Sequence, residues 1–141
     1  MKYVRFTLFV AAVLAISTAA YARPNVRATV PFDFVVGDKL YPAGDYSLTA
    51  NGIGSPVVQI ISQADAHSIL ALTSNCSVSV AKDQPTKLVF QRVNGAYVLH
   101  QVWIAGSHAG RQFTHRPADT QLALNGSNVQ EVVIAAQLTA R

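Results

Sequence analysis

Runs of alternating apolar and polar residues recur along this chain, at the two-residue period of a strand with one buried face. The clearest case is the stretch from Lys87 to Ile104, where two strand-like runs, KLVFQRV and AYVLHQVWI, flank Asn94-Gly95. Both turn residues tolerate φ > 0, so the pattern predicts a β-hairpin closed by a two-residue type I′ turn. Such a loop sets the register: Val93 faces Ala96, Arg92 faces Tyr97, Gln91 faces Val98, Phe90 faces Leu99, Val89 faces His100 and Leu88 faces Gln101. In that register Arg92, Tyr97, Gln101 and Trp103 share a face with Leu88, Phe90 and Leu99, while Val89, Val93, Val98, Val102 and Ile104 occupy the other. Apolar residues on both faces predict a central place in a sheet.

From Asn25 to Val36 the chain is β-branched and aromatic, with Pro31 in the middle. Proline cannot donate to a ladder, so this is an edge strand or two short strands meeting at a bend, with Phe32, Phe34 and Val36 directed into the core. Gly37-Asp38-Lys39 turns the chain, and Tyr41-Pro42-Ala43-Gly44 is a second turn, with Gly44 as its candidate left-handed residue. Strands are expected over Asp45 to Ala50, over Val57 to Ile61 with both faces buried, over Ile69 to Thr73, and in the Ser77 to Val80 alternation. Pro117 and the residues up to Leu124 predict one short helix near residues 116–124, ended by Asn125-Gly126. Val129 to Leu138 mixes helix-favouring Glu131, Ala135 and Ala136 with the block Val132-Val133-Ile134; a strand is expected, because an otherwise β chain needs partners for its edges. The sum is an all-β, mainly antiparallel fold, a small sandwich or barrel of about eight strands.

The first residues follow another pattern. Lys2 and Arg5 precede an apolar run from Phe6 to Ile16, broken only by Thr7, and Ala20-Tyr21-Ala22 is an A-x-A site. Residues 1–22 therefore read as a secretory signal peptide cleaved between Ala22 and Arg23, leaving a single β-rich domain over 23–141 and a periplasmic or extracellular location. The apolar run is too short to span a bilayer, so no membrane span is expected after the signal is removed. Removal also changes the charge. The chain carries eleven Lys and Arg against seven Asp and Glu, net +4; without Lys2 and Arg5 it is nine against seven, or +2. The remaining basic residues are scattered, which argues against a nucleic-acid partner. Cys76 is the single cysteine, so no internal disulfide is possible and stability must come from the core.

Two segments carry a family resemblance. Val30-Pro31-Phe32-Asp33-Phe34-Val35-Val36-Gly37, followed by Pro42-Ala43-Gly44-Asp45-Tyr46, resembles the opening of a family of small exported bacterial proteins of unknown function. Leu88, Phe90, Arg92, Gly95, Tyr97 and Leu99, then Gly110-Arg111, are similar to that family's central hairpin and the turn after it. The resemblance implies export and a β-rich fold, and no activity.

Catalytic motifs are sparse. His67, His100, His108 and His115 have spacings that match no zinc signature, and Gly106-Ser107-His108-Ala109-Gly110 lacks the G-x-S-x-G order of a nucleophile elbow. Carboxylates are few and spread out, and no phosphate-cradling glycine loop is present. No cofactor is expected. The candidate binding residues are Arg92, Tyr97, Gln101 and Trp103, whose rings and hydrogen-bonding groups suit a glycan, a peptide or another envelope protein if that face is exposed. If it is buried, Tyr97 and Trp103 fill the core and Arg92 pairs across the turn. The resulting expectation is an exported, non-catalytic binding or envelope-accessory domain; the alternative is a small secreted hydrolase or metal-dependent enzyme using the histidines.

Overall fold

Short alternating runs separated by glycine, proline and asparagine turns favour strands over helices, because each run buries one face while its backbone groups pair with a neighbour. A computed structural model describes residues 25–50, 55–76, 84–107, 109–114 and 129–139. These form eleven strands: β1 (Asn25–Val30), β2 (Phe34–Val36), β3 (Lys39–Tyr41), β4 (Gly44–Ala50), β5 (Val57–Ser62), β6 (Ser68–Cys76), β7 (Lys87–Val93), β8 (Ala96–Trp103), β9 (Gly110–Phe113), β10 (Gln130–Ala135) and β11 (Gln137–Thr139). The fold is all-β. The helix expected near residues 116–124, the Ser77 to Val80 alternation, His108, His115 and the 1–22 segment lie outside the described residues.

The strands form one mixed sheet in the order β10-β7-β8-β9-β6-β5-β4-β1-β11, with β2 attached to β8 as a parallel neighbour and β3 attached to β2. Strand β6 belongs to both halves: Ser68 to Leu72 pair with β5, and Thr73 to Cys76 pair with β9. The C-terminal run is similarly divided, β10 lying on β7 and β11 on β1, with a break at Ala136. Ala136 is held there by its N–H, which donates to Thr86 O at 3.0 Å. Because β10 and β11 do not pair with each other, the sheet is not closed into a barrel. Its two halves instead face each other across one core. Val26, Val30, Tyr46, Leu48, Val58 and Ile60 come from one side, and Phe34, Leu88, Phe90, Leu99, Val102 and Phe113 from the other. Full burial of such a side chain contributes about 1.5–3 kcal/mol each.

Several strands differ in detail from the sequence expectation. The chain bends at Pro31, as one of the two readings had it, but β1 is paired on both sides, by β4 and β11, and is not an edge. Gly44 does not take a left-handed conformation; it is the first residue of β4, and the positive φ in this region belongs to Gly37, which closes the β2–β3 hairpin. In β5 only Val58, Ile60 and Ser62 are buried, and the other face is half-covered. About eight strands were expected against eleven found: β3 falls where turns were read, β9 where no strand was read, and the 25–36 and 129–138 runs are each divided into two strands.

The segments that carry the family resemblance form one structural cluster. The Asp33 carboxylate accepts the Ala43 N–H at 2.9 Å, and the Tyr46 hydroxyl donates to Pro42 O at 2.7 Å, so the two turns are tied together. Phe34 packs edge-on against Tyr46 and Phe90, with ring centroids 5.0 and 5.4 Å apart. Phe32 stacks on Tyr97 at 3.9 Å, joining the bend to the central hairpin.

Candidate functional site

The β7–β8 hairpin forms around Asn94 (φ 52°) and Gly95 (φ 85°), and its register matches expectation from the turn as far as Phe90 and Leu99. There a β-bulge intervenes. Val89 faces Gln101 rather than His100, Leu88 faces Val102 and Lys87 faces Trp103, which leaves His100 as the extra residue on β8. A one-residue slip exchanges the faces beyond it. Arg92, Tyr97, Gln101 and Trp103 therefore do not share a surface, contrary to the sequence expectation. Tyr97 lies on the core side with the Arg92 guanidinium 5.6 Å from its ring centroid, whereas Gln101 and Trp103 face outward from the core. The indole is nonetheless only 6% exposed, is covered by the Lys87 ammonium at 6.0 Å, and donates its N–H to Gln101 Oε1 at 3.1 Å.

The most exposed large apolar side chains among the described residues lie elsewhere: Leu40 at 68%, Leu70 at 65% and Leu72 at 64%. The alternation of β6 explains the last two, because Ile69 and Ala71 point into the core and force their neighbours outward. Leu40 projects from β3, which pairs with β2 alone. Between β3 and β6 runs a slot made of two adjoining hollows. The larger, of about 710 Å³, is lined by Lys39, Leu40, Tyr41, Ser68, Ile69 and Leu70 among others. The smaller, of about 510 Å³, continues along Leu70, Ala71 and Leu72 to Phe113. Tyr41 lines both.

Comparison of the chain with protein-family models, with curated proteins and with solved structures finds no match in any of the three. The site is therefore read from its own chemistry.

Tyr41 is nine-tenths buried, and its hydroxyl is the one buried side-chain polar atom among the described residues without a hydrogen-bond partner. Burial first, and the Asp38 carboxylate second, hold its pKa above the ordinary tyrosine value, so it stays a neutral donor. An unsatisfied buried hydroxyl costs about 1–3 kcal/mol. Tyr41→Phe is accordingly expected to leave the chain as stable or up to about that much more stable, measured by urea unfolding; a loss would mean that the hydroxyl is satisfied in solution. At the polar end of the slot the Asp65 carboxylate is held below its usual pKa by the Ser62 side chain and by the His67 N–H, at 3.2 Å. It remains an anion there at neutral pH.

The remaining candidates do not converge. His67 sits in the β5–β6 turn and His100 at the bulge of β8; among the described residues no three His, Cys, Asp or Glu side chains are grouped to hold a metal ion. Cys76 is partly buried, and desolvation pushes its thiol pKa up, away from the thiolate that reactivity needs. A third hollow, of about 460 Å³, lies where β10 passes into β11 and is lined by Arg27, Thr29, Asp45 and Gln63. Its polar groups already serve one another's strands: the Thr29 hydroxyl donates to Asp45 and Gln63 Nε2 donates to Ser47 Oγ. The slot was not legible in sequence, because nothing in the Ile69 to Thr73 run says which of its residues face a neighbour. The one available signal was Leu70 and Leu72 at a two-residue spacing.

Proposed function

We propose that this chain is exported, is cleaved between Ala22 and Arg23, and acts as a non-catalytic binding or envelope-accessory domain whose binding face is the slot between β3 and β6. Export is supported by the charged start, the apolar run and the A-x-A site of residues 1–22, and by the resemblance of the VPFDF and PAGDY segments to exported bacterial proteins. The observation that carries the binding role is the grouping of Leu40, Leu70 and Leu72 on the rim of one slot. Scattered exposed leucines need no explanation, but a cluster beside a hollow is the signature of a contact surface.

A photo-crosslinking residue placed at position 70 in the native host tests both halves of the reading. Crosslinks to a discrete partner in the envelope fraction are expected, together with a mature N-terminus at Arg23. The same residue at exposed Glu131 should give none. Equal crosslinking from both positions, or an uncleaved chain retained in the cytoplasm, would refute it.

A further inference from the structure

We propose that the slot takes an extended segment of another polypeptide, carrying apolar side chains at alternate positions, which adds as a strand to the open edge of β3. This rests on the slot being the binding face and names what fills it.

Hydrogen-bond geometry makes β3 the receiving edge. Val36 and Lys39 flank the two-residue turn Gly37-Asp38 and form its hydrogen-bonded pair. The next pair, Val35 and Leu40, is then of the non-bonded kind, so the N–H and C=O of Leu40 point away from β2. No described strand lies there to receive them. The larger hollow is lined by β3 and β6, with Tyr46 of β4 and Ser62 of β5, and by no residue of β2, which puts it on that same open side; the smaller hollow reaches Val36 of β2 at the turn. An added strand would exchange two backbone hydrogen bonds with Leu40, the arrangement by which sheet edges capture peptides.

The side-chain lining fits the same occupant. From Ser68 to Leu72 the wall of β6 runs about 13 Å at ~3.3 Å per residue, the length of a strand of about five residues. Leu70 and Leu72 stand two residues apart on that wall, with Leu40 opposite, so apolar side chains at alternate positions of the incoming strand would cover them. Area decides between a strand and a second copy of this chain. Three leucines, each about two-thirds exposed, present on the order of 300 Å², within the range of a monomer's largest, often functional, apolar patch and well below the ~800 Å² per partner of a stable protein–protein interface.

The test is a panel of capped heptapeptides with Val, Leu or Phe at alternate positions and Thr, Lys or Glu between them, titrated into the ¹⁵N-labelled chain. The expected result is that at least one peptide shifts the amides of Lys39 to Tyr41 and Ser68 to Leu72 and slows hydrogen exchange of the Leu40 N–H at least tenfold. N-methylation of that peptide at alternate residues should weaken it at least tenfold. Leu70→Glu should do the same while melting within a few degrees of the parent. Shifts along β6 that leave Leu40 exchange unchanged and survive N-methylation would overturn strand addition while keeping the slot as a binding face. A panel without any such shift would overturn both. If the chain dimerises and Leu70→Glu makes it monomeric, the occupant is a second copy and the proposal fails.

Discussion

Phe34→Ala is expected to lower the unfolding free energy by about 3–5 kcal/mol, the cost of deleting a fully buried phenylalanine and leaving a cavity. The ring is 2% exposed and stands between Tyr46, Phe90 and Tyr41, with centroids at 5.0, 5.4 and 5.8 Å. Its neighbours come from β3, β4 and β7, each fixed by its own ladder, so the cavity cannot collapse without breaking backbone pairs. A domain of this kind holds only about 5–15 kcal/mol in total, so the variant should be partly unfolded near physiological temperature. Urea unfolding monitored by circular dichroism measures the loss. Phe32→Ala supplies the internal control: Phe32 is half-buried at the Pro31 bend and should cost clearly less. Equal losses from the two variants would show that Phe34 is not the centre of the packing.

Trp103→Ala is expected to cost a comparable amount, about 3–5 kcal/mol, although the ring lies outside the main core. It packs on the bare backbone of Gly110 in β9, where a Cβ would come within 2.8 Å of the ring. No real side chain tolerates that distance, so glycine is required at 110 for close approach and not for an unusual φ. Gly110→Ala should therefore destabilise by itself, by about 1–3 kcal/mol as an overpacking change. In the Trp103→Ala background the same substitution should be nearly neutral, because the obstructing ring is gone. The double-mutant cycle is the decisive measurement: additive losses would mean that the two residues do not touch.

Both predictions depend on features of very different legibility. The Asn94-Gly95 turn was readable because two residues with left-handed preference at a two-residue spacing define a loop without help from the rest of the chain. Four pairs of the hairpin register followed from it. The fifth failed at His100, where the extra residue of a bulge moves Gln101 and Trp103 to the opposite face from Leu99. Local sequence carries little trace of a bulge, since its position is set by how β8 must bend to meet both β7 and β9. The candidate binding face of Arg92, Tyr97, Gln101 and Trp103 was lost with that register. The strand choice for Val129 to Leu138 succeeded on a tertiary argument, the need to cover edges, where propensities conflicted.

Local features were legible in the chain: strand periodicity, the turn at Asn94-Gly95, the bend at Pro31 and an all-β class with Phe34 inside. These depend on φ/ψ preference and on burying one face of a strand, which each segment expresses alone. Tertiary structure alone decided the rest. It bent β6 from one half of the sheet into the other, leaving Leu70 and Leu72 on the outside, and it set the short β2–β3 hairpin beside them with no described strand beyond β3. An apolar residue reads the same in sequence whether a neighbour covers it or not. Only the arrangement of strands around it shows which leucines are left exposed.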